Sequence, residues 1–146
     1  MTTNLQVLSM AGHLIRRLHQ QSTQLFNQRT LAAGFEVTPV QFSSLEAVHA
    51  QPGIDQAEVA ERIGYDRATI GGVIDRLEKR GWLLRTVSTK DRRSRELRLS
   101  EAGELVLQQL MPIVKNLQKD ILHPLSEAEQ SFFMHLARRA IELDTE

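Results

Sequence analysis

The amino-acid sequence predicts a mainly α-helical fold carrying one small β-hairpin, and three observations support that expectation. Apolar residues recur at a period near 3.6 over most of the chain, helix caps and stops are dense, and strand-like alternation is confined to the region of residues 82–100. The 146 residues, 41% hydrophobic and 25% charged, suit a single folded domain and are too apolar for a disordered chain. No apolar run approaches the roughly 18–20 residues that cross a bilayer, and MTTNLQVLSM has no basic segment ahead of an apolar core, so the expected compartment is the cytoplasm. The absence of cysteine excludes a disulfide framework, a zinc ribbon, a thiol nucleophile and a thiol redox switch.

The elements follow in order. Leu8, Ala11, Ile15, Leu18, Ser22 and Leu25 alternate at spacings of three and four and predict a long first helix from about residue 5 to 31. Thr38, Pro39 and Gln41 supply a cap, a first-turn proline and a capping-box partner for a second helix, which Pro52 and Gly53 close. Asp55 and Glu58 repeat the device and start a short third helix through Ile63, with Gly64 suited to the left-handed stop. Asp66 caps a fourth helix with Ile70, Val73, Ile74 and Leu77 on one stripe, ended by Gly81, so the third and fourth make a helix-turn-helix candidate. Trp82–Val87, a polar tip Ser88–Ser94, and Leu97 and Leu99 alternating with Arg98 and Ser100 read as a hairpin. Ser100 caps a long helix in which Pro112 is expected to introduce a kink; His123 and Pro124 break the chain. Ser126 and Glu129 then open a last helix with Phe133, Leu136, Ala140 and Leu143 in register. The outer helices carry apolar faces too large for the small centre to cover, which predicts a homodimer paired through them.

The charge balance conceals an asymmetry. Although the chain sums to zero, residues 62–98 hold eleven basic and five acidic side chains, a net of +6 offset by −6 elsewhere. Such a block fits a phosphate-backbone site, and equally a solvated face if charge alone is considered. The fourth helix sharpens the first reading: opposite its apolar stripe lie Ala68, Gly72 and Asp75, flanked by Thr69, Gly71 and Arg76. Two adjacent glycines inside a helix cost roughly 1 kcal/mol each relative to Ala, offset either by close approach to a groove floor or by tight packing on a neighbouring helix. Arg67 and Arg76 can reach guanine edges or phosphates, and Thr69 a phosphate or a thymine methyl. At the hairpin tip Lys90, Arg92, Arg93 and Arg95 suit a minor groove, with Asp91 expected to position them by a charge-assisted bond to Arg92 or Arg93. No Ser, His and Asp arrangement, metal-ligand spacing or phosphate loop stands out, and GYDRATIGG lacks the glycines of one, so no enzyme and no cofactor is expected.

RLEKRGWLLR followed by DRRSRELRLSEAG resembles the wing signature of the multiple-antibiotic-resistance regulator (MarR) family, and the element order matches over essentially the whole chain. The resemblance implies a winged helix-turn-helix: residues 36–100 would bind double-stranded DNA at a palindromic operator, and 1–35 with 101–146 would form the dimerisation helices. It further implies a fourth helix in the major groove, a wing pair Asp91 and Arg93 with the Arg in the minor groove, and repression relieved by a small molecule. Ser100 stands where Thr is more common. The stretch GHLIRRL is similar to the first helix of members that respond to aromatic acids such as protocatechuate, where an Arg matching Arg16 binds the ligand carboxylate; such relatives can carry His where this chain has Ser22.

Helical geometry places Arg16 and His19 at the border of the apolar seam, with His13 and Arg17 turned further toward solvent. Arg16, His19, Ser22 and His13 are therefore the effector candidates, for a benzoate bearing a hydroxyl, since Arg binds carboxylates bidentately and His can donate beside it. Ordinary salt bridges across a dimer interface would use the same residues, and His49, His123 and His135 are read as structural. Two other functions stay open at this level: a ligand-independent architectural DNA-binding protein and a winged helix used only for protein contacts.

Overall fold

The computed structural model describes residues 4–144, with side chains as far as 142. The described residues form six α-helices, α1 (Ala11–Ala32), α2 (Pro39–Ala50), α3 (Gln56–Ile63), α4 (Arg67–Lys79), α5 (Glu101–Ile121) and α6 (Glu127–Asp144), with one hairpin, β1 (Leu83–Val87) and β2 (Arg95–Leu99), between α4 and α5 in chain order. They fall into two compact units, Phe26–Val114 and a second made of the chain up to Leu25 with that from Lys115 onward.

In the 26–114 unit the expected caps form. Thr38 Oγ1 accepts from the Gln41 amide at 3.2 Å while Gln41 Oε1 accepts from the Thr38 amide at 3.1 Å. Asp55 accepts from the Glu58 amide at 2.8 Å, and Gly64 ends α3 at φ +75°. Helix α4 buries Ile70, Val73, Ile74 and Leu77, as its stripe requires, in a core completed by Leu45, Val48, Ile54, Val59, Leu83, Leu97 and Leu107. Each such side chain contributes about 1.5–3 kcal/mol by leaving water. The hairpin is antiparallel, with Leu83 opposite Leu99 and Val87 opposite Arg95. It is anchored to the α2–α3 turn: the Gly53 amide donates to Leu97 O at 2.8 Å and the Leu97 amide to Ile54 O at 2.9 Å.

Behind the hairpin, Ser100 does three things: its amide donates to Trp82 O (3.0 Å), its hydroxyl donates to Gly81 O (2.5 Å), and that same oxygen accepts from the Gly103 amide (3.0 Å). The first turn of α5 is thereby pressed on the Trp82 main chain, and a Cβ at Gly103 would lie 1.9 Å from Trp82 O. Arg80 stacks over the Trp82 ring at 3.7 Å and donates to the Glu36 carbonyl. His49 meets Glu104 at 2.7 Å, the structural role expected of it.

In the other unit the first helix starts later than expected. Gln6–Ser9 form a single 3-10 turn in which Ser9 Oγ donates to Gln6 O at 2.9 Å, and Met10 is extended. With the Gln6 carbonyl satisfied locally and the Met10 carbonyl accepting from Leu14, α1 begins at Ala11. Helix α5 runs unbroken through Pro112. Ser126 and Glu129 make the reciprocal box that opens α6, and the Ser126 amide, followed by the Ser126 hydroxyl, holds the Glu129 carboxyl below its ordinary range. Gln130 Nε2, not singled out by the sequence, donates to the carbonyls of Leu122 and Leu125, each at 3.2 Å, and closes the α5–α6 turn. Among the described residues of this unit Leu117 alone is buried, while Leu8, Leu14, Ile15, Phe132, Met134, Leu136 and Ile141 are exposed. The side chain of Leu143 lies outside the described residues. No described helix is long and apolar enough to cross a membrane.

Candidate nucleic-acid interface

The two basic elements converge. Arg67, at the start of α4, lines a groove of about 420 Å³ together with Arg93 and Arg95 of the hairpin and the N-terminal end of α3. Ala68, Thr69 and Arg76 are exposed on α4, as are Lys90, Arg92, Arg93 and Arg95 on the hairpin. Among the described residues Arg67, Arg76, Lys90, Arg92, Arg93 and Arg95 make no ion pair, so their charge faces outward.

Other cations of the basic block are engaged within the protein instead, among them Arg85, Arg80 and Arg98, which lies 3.9 Å from Glu96. Arg85 Nη2 donates to Asp75 Oδ1 at 2.5 Å and to Glu78 Oε1 at 3.3 Å, with its own side chain largely covered. The Arg85 hydrogen bond holds the Asp75 carboxyl below its ordinary range, and Asp75 in turn pushes the guanidinium pKa up. Arg85 therefore braces the hairpin on α4 and cancels a carboxylate that would repel phosphate. Its position carried a signal: two residues after buried Leu83 and opposite buried Leu97, it lies on the inward face of the strand. Arg80, though exposed, is engaged with Glu36 and Trp82.

The glycine pair divides its roles. A Cβ at Gly71 would sit 3.1 Å from Gln56 Nε2 of α3, a packing contact, whereas at Gly72 it would meet nothing within 4 Å. Packing on a neighbour thus accounts for Gly71 and not for Gly72. Asp66 holds the helix start with both oxygens, Oδ1 accepting from the Thr69 amide and Oδ2 from its hydroxyl, each at 2.7 Å. The backbone bond is the larger cause of the lowered Asp66 pKa, followed by the hydroxyl.

Asp91 organises the tip differently from the expectation of a bond to a guanidinium. Its Oδ1 accepts from the Arg93 main-chain amide at 3.0 Å, and its carbonyl from the Ser94 amide at 3.1 Å. Ser88 Oγ completes the turn by accepting from the amides of Lys90 and Asp91 at 3.2 and 3.3 Å. A carboxylate reaching the amide two residues on is the low-strain closure for a turn, and it leaves the guanidinium groups of Arg92 and Arg93 unpaired. Ser88 lies in the tip expected from the sequence, and its turn-closing bonds are what the structure adds.

The model of the MarR family matches residues 37–94, from the start of the helix-turn-helix lobe to the wing tip. The chain is 35% identical to the PcaV transcriptional regulator of Streptomyces coelicolor, solved in complex with its natural ligand, over 97% of this chain and 98% of that one, with a TM-score of 0.86. The chain belongs to the MarR family. It is also 29% identical to the transcriptional repressor NicR of Pseudomonas putida, over 97% of this chain and 89% of that protein. BpsR of Bordetella bronchiseptica, whose DNA binding is regulated by 6-hydroxynicotinic acid, is 26% identical over 94% of this chain and 97% of that one, with a TM-score of 0.85. As a MarR regulator with a winged helix-turn-helix, the protein is a DNA-binding transcriptional regulator and not an enzyme.

The effector candidates of this MarR protein are placed less uniformly than its DNA-facing residues. Arg16 and His19 are exposed in the single chain, while His13, expected to point toward solvent, is half-buried, and its Nε2 is sequestered without a hydrogen-bond partner. Ser22 lines a cavity of about 730 Å³ with Lys115, Lys119, Phe133 and Arg138, whose lining includes none of the other three candidates. Along α1 His13, Leu18, Ser22 and Leu25 are half-buried whereas Ile15 is exposed, and the 100° step puts His13 on the side of the helix opposite Ser22.

Proposed function

We propose that the protein is a homodimeric repressor released from a palindromic operator by a small aromatic carboxylic acid of the hydroxybenzoate type. In this reading residues 36–100 form the DNA-binding lobe, and 1–35 with 101–146 supply the dimerisation helices. Ala68, Thr69, Gly72 and Arg76 of α4, with Arg67 at its start, enter the major groove. Lys90, Arg92, Arg93 and Arg95 meet the minor groove and adjoining phosphates, and Asp91 shapes the tip. The observation that carries the DNA assignment is the shared groove that brings Arg67 together with Arg93 and Arg95. Two recognition helices on a two-fold axis fit two half-sites a helical turn apart.

For the effector, Arg16 anchors the carboxylate and His13, His19 and Ser22 hydrogen-bond the ring substituents, with a second copy covering the exposed face of α1. Support comes from the likeness to BpsR, from the Arg16 position, and from the unpartnered Nε2 of His13. A buried polar atom without a partner costs about 1–3 kcal/mol, which a ligand hydrogen bond recovers. The test is a thermal-shift screen of hydroxybenzoates and hydroxynicotinates, followed by gel-shift titration with the compound that stabilises most. Arg16→Ala is expected to bind operator as the parent does and to ignore the compound; a variant that still responds normally would remove Arg16 from the site. Arg93→Ala is expected to weaken binding to all duplexes and to lower the salt dependence, and unchanged affinity would refute the wing assignment.

A further inference from the structure

On the α4 face between Arg67 and Arg76 the polar atoms are already engaged. The Thr69 hydroxyl donates its hydrogen to Asp66 Oδ2 at 2.7 Å, and the Thr69 amide is held by Oδ1 of the same carboxylate. This double hold fixes the side-chain rotamer, so the Thr69 methyl is presented rigidly instead of swapping places with the hydroxyl. Asp75, which could accept from a cytosine amino group, is bound by Arg85. Ala68 is exposed and Gly72 opens onto free space.

Base edges in the major groove are read by a short list of groups: Arg or Lys for guanine, Asn or Gln for adenine, a free carboxylate for cytosine, and an apolar contact for the thymine methyl. Between Arg67 and Arg76 the exposed face of α4 holds none of the first three in an unengaged state. Those two arginines are nine residues apart, about 13 Å along the axis or about four base-pair steps. We infer that α4 reads its half-site through C5-methyl groups of thymine, contacted by the Thr69 methyl and the Ala68 Cβ in its first turn beside Arg67, with Gly72 permitting the approach and Arg76 further along. The inference rests on the assignment of α4 as the recognition helix and names the base chemistry that helix selects.

The experiment starts by selecting duplexes that bind the full-length protein from a random library. The tightest duplex is then resynthesised with deoxyuridine for every thymine, which removes only the C5 methyl. A buried methyl is worth about fourfold in affinity, so the parent protein is expected to lose about fifteenfold when one contact is removed in each of two half-sites. Thr69→Ser keeps the bond to Asp66 and lacks the methyl; it is expected to bind the thymine duplex more weakly and to distinguish thymine from uracil markedly less than the parent. Ala68→Gly is expected to shift the discrimination in the same direction by a smaller factor. Equal affinity of the parent for both duplexes would overturn the inference, as would undiminished discrimination by Thr69→Ser. Failure to enrich any duplex would overturn the recognition-helix assignment itself, and the methyl reading with it.

Discussion

The two compact units use one sequence device to opposite ends. In the 26–114 unit the apolar stripes of α2, α3 and α4 close on one another and on the hairpin, so Leu45, Ile70, Ile74 and Leu97 are fully buried. In the flanking unit stripes of similar period leave Ile15 at 64%, Phe132 at 62% and Ile141 at 66% exposure. Large apolar side chains left exposed on both terminal helices are available to an interaction face. The comparison teaches that periodicity determines which side chains share a stripe, whereas the supply of a second stripe determines whether the result is a core or an interface. It also separates two kinds of stability: one unit carries its own, and in the proposed homodimer the other acquires its own by pairing.

The strongest way to break this contrast is Phe132→Asp combined with Ile141→Asp. Each large apolar side chain buried in an interface contributes about 1.5–3 kcal/mol, so the double variant is expected to sediment as a monomer at micromolar concentration and to lose most of its operator affinity. A persistent dimer would place the interface elsewhere. Next in size is Gly103→Ala, which drives a Cβ into Trp82 O. Its backbone cannot yield without moving the base of the wing, and a loss of about 3 kcal/mol is expected in urea unfolding. Stability equal to the parent would show that the α5 start is not seated as described.

Arg85→Ala comes third. It leaves Asp75 and Glu78 without their cation, but both carboxylates are substantially exposed, so solvent screening limits the cost to about 1 kcal/mol. Because the folded Asp75 carboxyl lies below its ordinary 3.8, the brace contributes fully above that pH and is lost as the pH falls through the folded value. The stability gap between parent and variant should therefore narrow in acid, and a gap independent of pH down to the unfolding limit would exclude the brace. The smallest effect is expected from Gly72→Ala, a gain of roughly 1 kcal/mol in thermal stability from helix propensity, accompanied by weaker DNA binding. Gly71→Ala should gain less, because its Cβ must displace the end of Gln56; equal gains at both positions would erase the distinction between them.

Local chemistry was legible wherever its partners lie within a few residues. Thr38 with Gln41, Asp55 with Glu58, Asp66 with Thr69 and Ser126 with Glu129 are three-residue relations, and each forms as spacing requires. The recognition stripe Ile70, Val73, Ile74 and Leu77 was legible for the same reason. Arg85 is counted in the basic block 62–98 with no partner assigned, because its carboxylates lie on another element and only strand register turns it inward. Asp91 was assigned to a guanidinium because charge suggests it, yet the nearer main-chain amide of Arg93 prevailed. On α1 the start at Ala11 follows from the local Ser9 bond to Gln6, whereas the half-burial of His13, on the side opposite Ser22, has no signal in the apolar periodicity.

By itself, then, the sequence determined the element order, the caps, the hairpin with its basic tip and the separation of +6 from −6 hidden in a neutral total. These are short-range properties, set by hydrogen bonds and periodicities that a few consecutive residues complete. Tertiary structure decided which of the cations are spent inside the protein and which face outward, and that Gly71 packs while Gly72 stands open. Each of these turns on a distance between residues from different elements or different turns, or on what fills the space above a side chain, and such distances come into existence only when the chain has folded.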